Sequence, residues 1–382
     1  MTEHDAADRT RYRDALRVRE FRALFFAYAI SVTGTVVSAV ALTVLVYQRT
    51  GSPFLSSLTF ALGFVPYLVS GLLLSSLVDR LPIRRLLVTC DLTCAALVVV
   101  MAIPAVPVAG LLALLLAVGM LTGVSSGARS AVLPTMVSAN AYVAGASLFR
   151  ISAQVSQIAG NGIGGALLVV LSPRGAIVVN AASFLVSATL ILWGVRAREA
   201  RVMLADRPSM LRDSLSGFRT VLAHRRLRRL LLFGWLVATF SVAPESLAAP
   251  YVDGLGGSAS LVGWWLVALP IGVTVGDFLG ATLLTATRQR RLVTALAAWS
   301  FLPYLAFVFY PEFAPAFALL VAAGMGAAYS LGFSALVIQT AHEEVQGRAL
   351  AINSAGLMFL QGLGFAGAGA LAGFVSPHLV VA

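Results

Sequence analysis

QIAGNGIGGALLVVLSP, residues 157–173, aligns without a gap with QGLGFAGAGALAGFVSP, residues 361–377, at a constant offset of 204 positions. Seven of the 17 positions are identical, including the first Gln and the closing Ser-Pro pair. Chance similarity between two glycine-rich helices is the alternative, but the shared Ser-Pro end favours duplication of a six-helix unit. The sequence thus predicts two related bundles, at residues 23–196 and 227–382.

The composition indicates a chain that lies in a lipid bilayer. Hydrophobic residues make up 59% of the 382 residues and charged residues 11%, and the mean hydropathy is +0.90. Soluble globular domains are far less apolar. A transmembrane helix needs about 20 predominantly apolar residues, and eleven stretches meet that length. They are residues 23–48, 54–78, 86–104, 108–128, 145–171, 175–195, 228–250, 258–286, 292–310, 313–338 and 347–375.

The first predicted helix and the expected last one both bear on the fold class. The first stretch is too long for the apolar core of a signal peptide, and no A-x-A site follows it, so we expect a retained helix. Shifted by the repeat offset of 204, the helix at 175–195 has a counterpart near 379–399, past Ala382. The expected fold class is therefore an all-α membrane protein with eleven helices present and the twelfth apparently missing.

All 27 basic residues are arginine, and they lie mainly in alternate loops between the apolar stretches. By the positive-inside rule these loops are cytoplasmic, which places the N-terminal tail 1–22 and the linker 197–226 inside. Only Arg49 and Arg174 fall on the outer side. A net charge of +11 is also typical of nucleic-acid binding, but the loop positions favour membrane orientation. We expect no nucleic-acid partner.

The residues that carry most enzyme chemistry are sparse in this sequence. Without lysine the chain has neither a P-loop lysine nor a Schiff-base lysine. Cys90 and Cys94 share a helix face and are expected to pack rather than to form a disulfide. The four histidines lack metal-ligand spacing, and no nucleophile, base and orienting group recur at a usable spacing. We expect no metal, no cofactor and no enzymatic activity.

The linker 197–226 is too polar to cross a membrane. Within it, residues 209–222 place Leu211, Leu215 and Phe218 on one helical stripe. This pattern indicates either an interfacial helix or, equally, a flexible tether.

Four stretches resemble the Major Facilitator Superfamily, specifically its bacterial drug and siderophore exporter branch of the enterobactin-exporter and macrolide-efflux types. SSLVDRLPIRR, residues 75–85, is similar to the superfamily loop motif G-x-L-A-D-R-x-G-R-R. GARSAVLPTMV, residues 127–137, is similar to the branch motif P-A-R-Q-A-L-L-P. The other two are residues 157–168, which resemble the fifth-helix motif G-P-x-x-G-G, and residues 215–232, which resemble the linker entering the seventh helix.

The resemblance implies two six-helix bundles, related by a pseudo-two-fold axis, that rock around a central site. In this family the carboxylate of the loop motif meets the start of the eleventh helix, so Asp79 would lie at the helix N-terminus near Gly347. The charges would then form a gate that latches the cytoplasmic side, and the alternative is an anchor that only holds the loop inside. The cations of this latch would be Arg80, Arg84 and Arg85, paired with carboxylates such as Asp91.

Polar residues recur along one face of the helix predicted at 145–171. Ser147, Arg150, Gln154, Gln157 and Asn161 are spaced by three and four residues, which places them on one stripe. Polar side chains are costly in hydrocarbon, so this stripe faces either a water-filled cavity or a neighbouring helix.

Arg150 and Asp277 lie at matching depths in their predicted helices. The resemblance implies that these two helices meet between the bundles, so an ion pair would form when the cytoplasmic side closes. Protonation of Asp277 would discharge that pair and couple a proton to opening. The alternative is that Arg150 reaches the interface while Asp277 pairs locally.

Three further residues are candidates for the lining of a central cavity. Glu245 follows Pro244 and is either a second proton site, a contact for cations, or a solvated residue at the outer mouth. Trp264 and Phe333 would supply an apolar, cation-tolerant wall, or else serve as packing or interfacial residues.

The sequence predicts a multi-pass, monomeric transporter of the bacterial cytoplasmic membrane. Because no nucleotide-binding motif is present, we expect its energy to come from an ion gradient, with protons acting on carboxylates. The expected activity is export of a hydrophobic or amphipathic small molecule, such as a drug, an antibiotic or a siderophore. The alternatives are an uptake permease or facilitator, and a truncated membrane protein that binds a partner without transport.

Overall fold

The computed structural model of the protein describes residues 16–73, 82–137, 139–197, 223–341 and 346–382. Within these ranges the regular secondary structure is helical. The helices are α1 Arg19–Thr50, α2 Pro53–Leu73, α3 Ile83–Ala102, α4 Val108–Met136, α5 Ala139–Val170, α6 Pro173–Gly194, α7 Arg225–Ser241, α8 Ala243–Ser246, α9 Ala248–Gly254, α10 Ala259–Leu283, α11 Ala286–Arg291, α12 Val293–Trp299, α13 Phe313–Met325, α14 Tyr329–Thr340, α15 Gln346–Leu371 and α16 Pro377–Val381. Two 3-10 helices, Leu302–Phe309 and Gly326–Ala328, follow α12 and α13.

The all-α fold is confirmed, and helices occupy each of the eleven predicted stretches. In the described part of the chain, nine helical stretches are long and apolar enough to cross a membrane. Two shorter apolar helices, Pro53–Gly63 and Val293–Phe309, occupy the second and ninth predicted positions.

The seventh predicted stretch, 228–250, is not one continuous helix. It divides into α7, α8 and α9, and Pro244 and Pro250 lie in the two short segments. Proline has no backbone N–H to donate and its ring clashes with the preceding turn, so a helix breaks where prolines are this close together.

The Ser-Pro pairs that end the two repeats each begin a helix, and a side-chain cap is formed at the first of them. Ser172 and Ser376 precede the first residues of α6 and α16, and each helix begins with a proline. The Ser172 hydroxyl accepts a hydrogen bond from the backbone N–H of Gly175 at 3.2 Å. Serine is a favoured N-cap, and proline suits the first turn because that turn needs no N–H donor.

The helices form two compact units. Unit 1 comprises Met1–Leu42 and Val69–Ala205, and unit 2 comprises Thr43–Leu68 and Asp206–Ala382. The chain therefore passes from one unit to the other within α1 and again within α2. The bundle limits 23–196 and 227–382 stay a prediction. The linker stretch 209–222 lies outside the described residues.

In unit 1, small residues allow α5 to pack closely on α1. A Cβ atom added at Gly160 would lie 2.6 Å from Cβ of Val36, and one added at Gly164 would lie 3.2 Å from Val40. Close approach of backbones through small residues is the usual way in which membrane helices associate.

In unit 2 the same principle joins α10 to α13. A Cβ atom at Gly272 or Gly276 would collide with the backbone carbonyl oxygen of Val321 or Met325. The α7–α15 contact is similar, because Gly356 leaves room for the indole ring of Trp235.

Candidate functional site

The polar stripe of α5 faces open space over most of its length. The side chains of Arg150, Gln154 and Gln157 are exposed and Ser147 is partly buried, whereas Asn161 is only 3% exposed. Helix–helix contact, one of the two interpretations of this stripe, therefore fits Asn161. The other polar side chains lie on a surface of α5 that is not packed against protein.

The opposite face of α5 is buried by contact with α1. The Ser156 hydroxyl donates to the Ala29 carbonyl at 3.3 Å, and Ser152 is also buried. A third, apolar face carries Ile151 and Val155, which are more than half exposed. The helix thus has a packed face, an apolar face suited to lipid and a polar face suited to water.

A buried polar network crosses unit 1 near the start of α1. Asp91 on α3 is 4% exposed, and one of its carboxylate oxygens accepts a hydrogen bond from the Ser187 hydroxyl at 2.6 Å. Arg129 on α4 is the cation that acts on Asp91, and its guanidinium lies 4.7 Å from the centre of the Tyr28 ring. This is the geometry of a cation–π contact.

Sequence reasoning did not select Arg129, Tyr28 or Ser187 as site residues. The signal for Arg129 was present in the stretch 127–137, which already resembled a family motif. Tyr28 and Ser187 gave no such signal, because their positions matter only once α1, α4 and α6 are placed in space.

The predicted gate motif is described only in part. Asp79 and Arg80 lie outside the described residues, so the contact of Asp79 with the start of α15 stays a prediction. Gly347 is the second residue of α15.

The described arginines of this motif do not have the expected partner. Arg84 donates to the backbone carbonyl of Leu192 near the end of α6, and Arg85 is exposed. The pairing of the latch arginines with carboxylates such as Asp91 stays a prediction, and this structure gives Arg84 a different partner. Asp91 faces Ser187 and Arg129 instead, because it lies two turns further into the membrane along α3.

Asp277 lies on α10 with one carboxylate oxygen buried, and that oxygen accepts no hydrogen bond from the described residues. The adjacent Gly276 packs against Met325, which holds this turn of α10 against α13. Arg150 belongs to unit 1 and Asp277 to unit 2, and the ion pair between them stays a prediction.

The three cavity candidates have different surroundings. Glu245 is partly buried in the short helix α8, and Tyr304 lies near its carboxyl group. Trp264 is about half exposed. Phe333 is 4% exposed and its ring fills the space above Gly234, which fits the packing alternative for this residue.

Residues of α1 and α2 between Thr43 and Leu68 pack onto the rest of unit 2, a contact that sequence reasoning missed. We call this segment the hairpin. Its Ser57 hydroxyl donates to the Ser246 carbonyl at 2.9 Å. Its Phe60 ring stacks on Phe365 at 5.2 Å between centroids, with an interplanar angle of 14°. No compositional feature distinguishes the hairpin from other apolar stretches.

Outside the membrane stretches, Tyr251 closes the end of unit 2 near the hairpin. Its buried hydroxyl donates to the Pro311 carbonyl at 2.8 Å. Burial and the nearby Tyr310 raise the pKa of Tyr251, so the hydroxyl keeps the proton that this bond needs. Among the described residues, no group of three His, Cys, Asp or Glu side chains is placed to hold a metal ion.

Comparison with known proteins gives one family and several structural relatives. Residues 24–256 match the family model of the Major Facilitator Superfamily. A bacterial homologue of the human lysosomal transporter Spinster, in an inward-facing and unoccupied conformation, is similar with a TM-score of 0.73 at 16% identity, covering 93% of this chain and 82% of that chain. A nucleoside transporter is similar with a TM-score of 0.68 at 14% identity, covering 95% and 94%. A D-xylose–proton symporter is similar with a TM-score of 0.64 at 15% identity, covering 94% and 88%. No curated protein matches the sequence.

Proposed function

Because the chain belongs to the Major Facilitator Superfamily, we propose that it is a secondary active transporter that exports a hydrophobic or amphipathic small molecule in exchange for protons. The observation that carries this proposal is the exposed polar face of α5 in a helix long and apolar enough to span the membrane. Exposed Arg and Gln side chains at that depth are stable only against water or a polar ligand. Such a water-filled space is what an alternating-access transporter needs.

The coupling step in this proposal uses the predicted pair of Arg150 and Asp277. An ion pair at reduced dielectric would favour the cytoplasmically closed state, and a proton on Asp277 would release it. The buried oxygen of Asp277 accepts no hydrogen bond from the residues that the structure describes, which supports a proton-binding role, since such an oxygen costs free energy until it gains a partner.

A charge swap tests this pair. We expect Arg150→Asp and Asp277→Arg to abolish transport singly, and the double variant to regain part of it. If both single variants fail and the double variant regains nothing, although it is inserted and folded, the pair is not the coupling device.

Transport direction is tested with purified protein in liposomes and with cells that accumulate a fluorescent drug. Export coupled to protons predicts low accumulation that rises when a protonophore is added. Accumulation that falls with the protonophore would indicate proton-driven uptake. Folded protein that moves no substrate would indicate a membrane protein with a binding role instead.

The gate is tested by Asp79→Asn, which removes the charge and keeps the shape. A gating role predicts slow transport with normal membrane insertion. Transport at the wild-type rate would leave the loop arginines with an anchoring role only. We further propose that the protein works as a monomer in the bacterial cytoplasmic membrane with its N-terminus inside.

A further inference from the structure

Arg129 of unit 1 lies over the Tyr28 ring, and a second arginine, Arg150, directly follows Phe149 on α5. At a rise of about 1.5 Å per residue, Tyr28 is about 14 Å from the start of α1, Arg129 about 10 Å from the end of α4, and Arg150 about 16 Å from the start of α5. The Tyr28 ring contacts Phe149, the neighbour of Arg150, at 5.3 Å in an edge-to-face arrangement. We call Tyr28, Arg129, Phe149 and Arg150 the guanidinium layer.

The two guanidiniums make few hydrogen bonds within the described part of the chain. A guanidinium has five N–H donors, and neither Arg129 nor Arg150 donates a hydrogen bond to any side chain or carbonyl in the ranges that the structure describes. Arg129 is partly buried, and the Tyr28 ring covers one face of its guanidinium. Donors of this kind within a membrane helix require water or an acceptor-rich ligand.

The acidic residues described in unit 1 do not neutralise the layer. Glu20 is buried and forms an ion pair with Arg196 at 3.1 Å. Asp91 is buried and accepts a hydrogen bond from Ser187. Asp91 therefore offsets one of the two cations and helps to hold Arg129 in place, which leaves Arg150 as an exposed net positive charge.

From this arrangement we infer that the guanidinium layer is the part of the transport site that binds an anionic group, and that the substrate is an amphipathic aromatic acid. The two guanidiniums supply charge-assisted donors suited to a carboxylate or phenolate. The rings of Tyr28 and Phe149 supply an edge for the aromatic body of the ligand. The inference rests on the proposed transport function and specifies its substrate class.

The test compares three ligands that share one ring system and differ in charge. Purified protein in neutral detergent is titrated with 1-naphthoate, 1-naphthylmethanol and 1-naphthylmethylammonium, and binding is measured by thermal stabilisation. We expect the carboxylate to bind at least about tenfold more tightly than the other two, the range given by one charge-assisted hydrogen bond. Absence of binding by naphthoate, or equal binding of all three, would overturn the inference.

Single arginine substitutions show which side chain gives the protein its preference for naphthoate. Arg129→Gln should lower the affinity for naphthoate about tenfold and leave that for the alcohol unchanged. Arg291→Gln removes the same charge from an exposed position on α11 and should change neither affinity. A folded Arg129→Gln protein that keeps the full preference for the acid would contradict the inference. If Arg129→Gln does not fold, the ligand preference of the wild-type protein and the affinity of Arg150→Gln for naphthoate test the inference instead. Arg150→Gln should also bind naphthoate more weakly, and an unchanged affinity would contradict the inference.

Transport of the same three ligands into proteoliposomes separates this inference from the function on which it rests. Movement of the alcohol or the ammonium compound in preference to the acid overturns the anion site and leaves the transporter in place. Selective binding of naphthoate without movement of any ligand supports the anion site and contradicts the proposed transport function.

Discussion

Asp91 and its neighbours show how single residues decide which charges unit 1 tolerates in the membrane. The carboxylate receives a hydrogen bond from Ser187 at 2.6 Å and lies near Arg129. Breaking a buried, charge-assisted hydrogen bond leaves an oxygen without a donor, which costs more than the bond itself contributes. The sequence named Asp91 as a possible partner of the latch arginines, and it gave no sign of the hydrogen bond from Ser187. Spacing along the chain cannot predict a contact between α3 and α6.

We expect Ser187→Ala to lower the stability of the protein by about 1–3 kcal/mol. Thermal unfolding of the purified protein measures this loss. The matched control is Thr189→Ala on the same helix. The exposed hydroxyl of Thr189 donates to the Leu185 carbonyl of its own turn at 2.8 Å. Equal melting temperatures for the two variants would show that the bond to Asp91 contributes little.

At the scale of the helices, glycine positions fix how closely α10 and α13 approach. Gly272 lies against the Val321 backbone and Gly276 against the Met325 backbone, so neither position has room for a methyl group. Backbone cannot rotate away as a flexible side chain can. A substitution here must separate the two helices.

Gly272→Ala is therefore expected to destabilise unit 2 by about 1–3 kcal/mol through overpacking. Gly367→Ala is the control, since an added Cβ at Gly367 meets no atom within 4 Å. The Gly367→Ala substitution should leave the free energy of unfolding unchanged or raise it slightly, because alanine loses less conformational entropy than glycine in a helix. Equal loss of thermal stability in both variants would contradict close packing at Gly272.

Helix positions were the most predictable part of this fold. Length and apolarity located all eleven stretches, because the bilayer demands both properties from a spanning helix. The breaks near Pro244 and Pro250 were not predicted, since an apolar window averages over them. For the candidate site, the stripe from Ser147 to Asn161 followed from helical periodicity alone. The burial of Phe333 did not, because an aromatic residue fits either a cavity wall or a packed core.

For the whole molecule, the orientation in the membrane stays a prediction that follows from the arginine-rich loops. This orientation places the loop that precedes α10 on the outer side of the membrane and the loop that follows α10 on the cytoplasmic side. Ser258 and Thr285 are exposed at these two positions. The native thiols of Cys90 and Cys94 are buried and should react slowly.

In intact cells, we expect a membrane-impermeant maleimide to label a Ser258→Cys variant and to leave a Thr285→Cys variant unlabelled. Permeabilised cells should label both, which controls for reactivity. The reverse pattern would place the N-terminus outside and would contradict the arginine rule for this chain.

The hairpin has a practical consequence for producing the protein in pieces. Residues 43–68 pack on Ser246 and Phe365, yet they belong to the N-terminal part of the polypeptide. A fragment of residues 223–382 made alone would lack this covering and should aggregate, whereas co-production with a fragment of residues 1–197 should yield a soluble, co-purifying complex in detergent. Phe60→Ala in the longer fragment should reduce the yield of that complex, so split expression becomes a direct measure of how strongly the hairpin binds.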